Sequence, residues 1–409
     1  MATDSRPRTP VWLLALFFVA FAIGTDDFVI AGLLPEIAED LAVSEAAAGQ
    51  LITVFSLSYA LGAPVAAVVT ARWPQRRVMT AAAALFAVGN LAAAAAPTYE
   101  TLFALRVLLA LAAATITPAA VSTAAALAPE GRRGRYIGVV AAGLTVSLAV
   151  GVPIGTWLGG HFGWRSTLVL VAALAVLALV GMVRLPAAPR PPSVALGTKL
   201  APLRRPAVLA ALVSVFVSAS GGLMVYEYVA PVAAGLSGAG TEALAALIAA
   251  AGVSGAAGTW LGARATDAFG PERTTLVAVS AQAASVLALA ALGFLLEPGA
   301  VPVALFGALF AGWALAGWAF NPAMHLRLLD LAGPAGPEAV GLNGSALYLG
   351  IAVAGGLGGA ALANFGAHSV PLVSGLLSLV GLCLFAWSFR AHRPGGGGRG
   401  PVTVEARRA

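Results

Sequence analysis

The chain is a string of apolar runs, each about 20 residues long, joined by short charged stretches. About 20 apolar residues is the length of helix that crosses a bilayer. Twelve such runs can be placed, near residues 11–33, 47–70, 78–96, 101–125, 136–158, 167–185, 207–231, 243–263, 274–295, 301–324, 339–364 and 370–390. Gly and Pro recur inside them, as lipid-embedded helices allow. Composition points the same way. The chain is 60% hydrophobic and 10% charged, with a mean hydropathy of +0.92, whereas a soluble domain carries roughly 25% charge. No soluble core of 409 residues hides that much apolar surface, so the expected solvent is lipid.

The net charge of +6 does not signal nucleic acid. The basic residues are scattered between the runs and form no aromatic-interleaved patch. The single cysteine, Cys383, allows no intrachain disulfide or thiolate metal site and reads as a buried apolar thiol. The first run is too long for the apolar core of a signal peptide and ends in no small-residue cleavage site.

Basic residues orient the runs. With the N-terminus in the cytoplasm, 21 of the 23 basic residues fall in inner segments; Arg106 lies in a run and Arg165 outside. Positive charge concentrates on the cytoplasmic side of membrane proteins, so both termini are expected there. The inner segment 186–206 is rich in proline and splits the chain into two sets of six runs. The halves resemble repeats. An offset of 196 maps Pro35 onto Pro231, Gly62 onto Gly258 and Arg77 onto Arg273; an offset of 199 maps Gly151 onto Gly350. Parallel repeats of this kind place a binding site between the halves near the midplane. The expectation is therefore an all-α membrane protein. Twelve transmembrane helices form two pseudo-symmetric six-helix bundles, residues 11–185 and 207–390, around a central cavity. A cytoplasmic N-terminus (1–10), a cytoplasmic linker (186–206) and a disordered tail (391–409) complete the chain.

Of the 40 charged residues, four lie within the runs away from the inner ends that carry Arg184 and Arg390: Asp26, Asp27, Arg106 and Glu227. A charge near the bilayer centre costs about 2.5–3.5 kcal/mol on insertion scales and is usually kept for a pathway or proton relay. Counting at 1.5 Å per residue puts Asp27, Arg106 and Glu227 roughly 6–9 Å below the outer boundary on three different helices, which suggests one site. Asp26 and Asp27 point about 100° apart on a helix, so they cannot both face one point. A carboxylate in such a cavity, answered by an arginine that stays charged, can exchange a proton as the cavity opens to alternate sides. Span boundaries misplaced by a turn would instead make Glu227 interfacial. Tyr226, Tyr228, Trp313, Trp318 and Asn321 are candidate cavity residues, since aromatic faces bind apolar or cationic ligands; lipid contact or packing explains each equally well. Gly151, Gly155 and Gly159 around Pro153 read as a hinge or seal between halves, or as ordinary close helix packing. No His pair stands at ligand spacing, so no metal or cofactor is expected. No paired His and Glu, nucleophile elbow or phosphate loop supports an enzyme.

These residues resemble the major facilitator superfamily over about residues 10–390, and within it the drug:proton antiporters of arabinose-efflux and chloramphenicol-resistance type. The run Gly24-Thr25-Asp26-Asp27-Phe28 through Leu34-Pro35-Glu36 is similar to the first span and outer loop of those permeases. Gly151-Val152-Pro153-Ile154-Gly155 is similar to their fifth-span motif, Arg106 to their fourth-span arginine, and Pro129 to Arg135 to the loop before the fifth span. The resemblance implies roles in proton coupling for Asp27 and Arg106; the depth count adds Glu227 beside them, and the helix step sets Asp26 aside against Thr25 or a neighbouring helix. It implies export of small hydrophobic compounds, neutral or cationic, antibiotics among them, by a monomer in the bacterial inner membrane. Sugar efflux by the same fold, or a non-transporting receptor, are the alternatives. Two departures stand out. The inner loop after the second run has Ala71 where an acid is usual, beside Arg72, so gating would fall to Arg264 and Asp267 in the second half. Glu227, between Tyr226 and Tyr228, replaces a residue that is commonly uncharged.

Overall fold

The computed structural model describes residues 10–130, 132–187 and 195–391. The expectations for the N-terminal residues before Pro10 (Arg6 and Arg8 among them), for Gly131, for residues 188–194 of the linker and for the tail from His392 lie outside the described residues. Among the described residues every element is a helix. Ten runs are long and apolar enough to cross a membrane, but two of them, Thr241–Leu295 and Val303–Phe365, span 55 and 63 residues. Each is about twice the necessary length, and each breaks near its middle. Gly270 sits at φ 81° and Gly333 at φ 55°, left-handed backbone that glycine alone adopts at no steric cost. Twelve spans result.

Span 1 is Val11–Val29, continued by the 3-10 turn Ile30–Gly32 and the short helix Leu34–Asp40. Spans 2, 3 and 4 are Glu45–Val69, Gln75–Ala94 and Tyr99–Ala126; span 5 runs from Arg133 to Phe162, and span 6 is Trp164–Met182. A linker helix, Leu196–Leu200, and the turn Ala201–Arg204 lead into span 7. That span is not the single helix that 207–231 implied. It comprises Pro206–Gly222, one turn Met224–Glu227, and Val229–Ser237. Spans 8 and 9 are 241–269 and 271–295, span 10 is Val303–Ala332, span 11 Gly336–Phe365 and span 12 Ser369–Ala391.

Packing repeats six spans on. Span 1 lies against spans 5 and 6 as span 7 lies against 11 and 12, and span 3 against 4 and 6. In the second set, Gly375 of span 12 packs on Leu287 of span 9, and Gly258 and Gly262 of span 8 meet the backbone of span 10 at Leu315 and Ala319. The two sets meet along spans 2 and 11 and along spans 5 and 8. The linker helix rests on spans 2 and 11, so the face that carries it is called the linker face here, and its opposite the far face. At the far face the span 5 to 6 turn is tied down. Trp164 Nε1 donates to Asp40 Oδ2 at 3.0 Å, Arg165 pairs with the same carboxylate, and Arg165 Nη2 donates to the Ala96 carbonyl at 3.0 Å. The hydrogen bond from Arg165, then that from Trp164, holds the Asp40 carboxyl below the usual carboxylate range. Cys383 is exposed on the outside of the bundle, not buried, because it falls on the face of span 12 turned away from its neighbours.

Close backbone approach at span 8 yields a test. A Cβ at Gly258 has no room against the Leu315 carbonyl, whereas one at Gly344 meets nothing within 4 Å. Gly258→Val is expected to destabilise by about 1–3 kcal/mol, as overpacking does, and Gly344→Val to leave stability unchanged. Thermal unfolding of the two variants in detergent checks this; equal melting temperatures would contradict it.

Candidate functional site

Span 4 carries Arg106 into the interior of the first six spans. Its Nη1 pairs with Asp26 Oδ2 at 2.8 Å, with both side chains buried, 1% and 0% exposed. The same guanidinium reaches the Leu51 carbonyl through Nε at 3.4 Å and lies 4.2 Å over the Phe55 ring. One arginine thus holds spans 1, 2 and 4 together. Asp26 thus bonds a neighbouring helix, as expected of it, but its partner is the Arg106 expected to pair with Asp27. The reason is azimuth: adjacent residues point about 100° apart, and the face of span 1 turned toward span 4 carries Asp26.

Asp27 faces the other half. Tyr348, on span 11, donates its hydroxyl to Asp27 Oδ2 at 2.6 Å. The Tyr348 ring stacks on Tyr59 of span 2, with centroids 4.0 Å apart and planes at 23°. Asp27 and Glu227 line one small cavity of about 10 Å³, along with Ile52 and Tyr226. Both Glu227 oxygens are buried without a hydrogen-bond partner, as is Thr53 Oγ1. These two groups stand over Gly355, whose missing Cβ would lie 2.9 Å from Glu227 Oε2. Of the residues expected at one depth, the structure therefore brings Asp27 and Glu227 together and assigns Arg106 to a different partner.

A larger cavity of about 230 Å³ lies between the halves, on the linker-face side of these acids. Phe28, Leu223 and Ile351 line both cavities and form the partition. No charged side chain lines the larger one; its polar groups are the hydroxyls of Tyr59, Thr117, Thr145, Ser218 and Tyr348 and the carboxamides of Gln282 and Asn321. Trp318 and Asn321 are in its wall, as the aromatic reading allowed. Tyr226 instead touches the small acid-lined cavity and stacks on Phe310 and Trp313. Trp313 is fully buried and donates to the Gly222 carbonyl at 2.6 Å. Tyr228 is buried over Gly358, its hydroxyl bonded to the Gly355 carbonyl at 2.6 Å. Trp313 and Tyr228 thus stand outside the wall of the larger cavity. Tyr59, Tyr348, Ser218 and Gln282 went unread in the sequence. Uncharged polar side chains in mid-span were the available signal.

Further toward the linker face, a space of about 380 Å³ is lined by Pro64, Pro118, Lys199, Glu338 and Ser345. The far face is shut. Gly252 of span 8 abuts the backbone of Leu148 in span 5, Gly160 abuts Thr241, and Gln50 Nε2 reaches the Gly355 carbonyl at 3.5 Å. The molecule is therefore hollow toward the linker face and sealed beyond the acids.

The glycine series of span 5 does not form that seal. Gly151 faces Thr25, Gly155 faces Val29, and Gly159 faces Leu33, all within the first six spans. Pro153 has no N–H to donate, and the turn Ser147–Gly151 immediately before it widens to a π-helix, a common site of helix bending. The contact between halves uses the neighbouring positions Leu148 and Gly160. At the linker face, Arg72 and Asp267 are exposed, and the Arg264 guanidinium lies 3.6 Å over Trp260 of its own helix. Among the described residues the ion pairs are Arg106–Asp26 and Arg165–Asp40, so no Arg264–Asp267 bridge forms in this state.

Comparison with known proteins agrees with this architecture. A sequence model of the Major Facilitator Superfamily matches residues 16–308. The chain is 32% identical to a chloramphenicol resistance protein of Streptomyces lividans, over 93% of this chain and 96% of the relative. It is 30% identical to the uncharacterized transporter YbcL of Bacillus subtilis, over 90% and 92% respectively. The crystal structure of a D323A mutant of the nucleoside transporter NupG superposes with a TM-score of 0.77, covering 92% of this chain and 100% of that one at 13% identity.

The buried pair predicts a specific pattern of stability. Removing one partner of a buried ion pair costs about 3–5 kcal/mol, whereas replacing both with apolar groups of similar volume is often neutral. Arg106→Ala is expected to lose that amount, and Asp26→Leu combined with Arg106→Met to lose much less. Thermal unfolding of both proteins in detergent decides; an equal loss in the two would remove the pair from its proposed place in the fold.

Proposed function

This chain belongs to the major facilitator superfamily, and on that premise we propose that it exports small, largely apolar, neutral compounds in exchange for protons. The observation that carries the reading is the central cavity. It is built from both halves, bears no charged side chain, and is joined through Tyr348 to the carboxylate of Asp27. A compound entering from the linker face meets Trp318 and Phe28 for its apolar body, and the carboxamides of Gln282 and Asn321 for its hydroxyl or amide groups. A permanent cation would find no carboxylate in that wall, which narrows the sequence expectation of neutral or cationic substrates. The chloramphenicol resistance protein among its relatives supports an antibiotic as one substrate. The basic residues of the linker face support a cytoplasmic position for that face, in a bacterial inner membrane.

Exchange follows from alternating access. With the far face shut, the cavity loads from the cytoplasm. Opening to the far side lets Asp27 take a proton from outside, and the compound leaves. Return to the present state delivers the proton inward. Asp27 rather than Asp26 carries the proton, because Asp26 is committed to Arg106.

The test is an efflux-deficient bacterial host, a susceptibility panel of neutral and cationic drugs, and inverted vesicles with an acidic lumen. We expect protection against neutral members of the panel and gradient-driven accumulation in the vesicles. Asp27→Asn should abolish that accumulation while the protein still inserts. Full accumulation by the variant, or protection confined to cations, would sink the reading.

A further inference from the structure

Tyr348 lines the larger cavity and is hydrogen-bonded to the proposed proton site. Its hydroxyl donates to Asp27 Oδ2 at 2.6 Å, while its ring stacks on Tyr59 in the cavity wall. The bond also crosses the molecule, from span 11 in the second half to span 1 in the first. Nothing in the resemblance to known permeases assigns this residue a role.

We propose that Tyr348 is a positioning residue that couples the two sites: its bond to ionised Asp27 holds the empty transporter shut at the far face. The proposal rests on Asp27 as the proton carrier. Its physical basis is the difference between two hydrogen bonds. A bond to an ionised carboxylate is short and about twice as strong as a neutral one. Protonation of Asp27 removes the charge and weakens the tie between halves. A bound compound pressing on the Tyr59–Tyr348 pair displaces the hydroxyl and does the same. Either proton or substrate then permits the far face to open, and the empty, deprotonated carrier cannot. That restriction is what keeps an exchanger from slipping without cargo.

The surroundings of Asp27 leave Tyr348 as its direct partner. Asp26 of its own helix is taken by Arg106 of span 4. Glu227 and Tyr226 of span 7 line the same small cavity without bonding to Asp27. Tyr59 of span 2 stacks on the Tyr348 ring and makes no hydrogen bond to Asp27 among the described residues.

The test needs no substrate. Spin labels placed at His161 and Glu242, exposed at the far-face ends of spans 5 and 8, report closure in nanodiscs of a Cys383→Ser background. Carboxyl groups, with ordinary values near 4, are ionised at about pH 9 and take up more protons toward about pH 5. The labelled parent should show one short distance at the higher pH and an added longer population at the lower. Tyr348→Phe keeps the ring and its stacking but loses the hydroxyl, so it should show the longer population at both. Tyr136→Phe, a tyrosine outside both cavities, should behave as the parent. Tyr348→Phe superimposing on the parent at the higher pH overturns the proposal. Asp27→Asn showing the parent's own pH response overturns the Asp27 reading instead, so the two failures are distinguishable.

Discussion

A charge buried at membrane depth is costly without a partner, and the salt bridge between Asp26 and Arg106 supplies one for two of the four intramembrane ionisable groups. It joins spans 1 and 4 at 2.8 Å in a fully buried setting, and the same guanidinium reaches span 2. Everything at the centre depends on the azimuth this fixes. With Asp26 turned inward to Arg106, the next residue turns about 100° away, and Asp27 is presented to the opposite half. Two adjacent aspartates thus serve two different ends, one holding a half together and one facing across the gap.

The acid of the second half follows another logic. An offset of 196 between the halves places Glu227 opposite Ala31, one turn beyond Asp27, so the two acids are not related by the repeat. Both lie beside helix breaks. Span 1 tightens to a 3-10 turn at Ile30, and span 7 is interrupted at Leu223 and Tyr228. Irregular backbone at membrane depth is tolerated where protein or a cavity surrounds it, and both breaks are buried. Gly355 makes the space in which Glu227 and Thr53 sit. The shared small cavity sets Glu227 beside Asp27 although the repeat does not relate them.

Much of this was legible in the residues. Span number followed from apolar length, which the hydrocarbon thickness dictates, and the intramembrane charges stood out against it. Depth was legible too, because rise per residue is constant, and depth brought Asp27 and Glu227 together. Azimuth was not. Which face of span 4 meets which face of span 1 depends on packing between distant segments, so Arg106 was matched with the wrong aspartate. The glycines of span 5 left two readings open for the same reason: their spacing says that a helix comes close, but not whether it is span 1, as in ordinary packing, or span 8, as in a seal. Tyr348 gave only the weak signal of a polar group in mid-span, since an aromatic residue in an apolar run is ordinary until its hydroxyl is seen to reach a carboxylate.

The central claim is that Asp27 exchanges a proton while Asp26 stays committed to Arg106. Infrared difference spectra of the protonated-carboxyl stretch, recorded between about pH 5 and about pH 9 in a Glu227→Gln background, test it directly. The account predicts a carboxyl difference band that persists when Asp26→Leu and Arg106→Met are combined and disappears in Asp27→Asn. A band that survives in Asp27→Asn, or that vanishes with the Asp26–Arg106 pair, would contradict it.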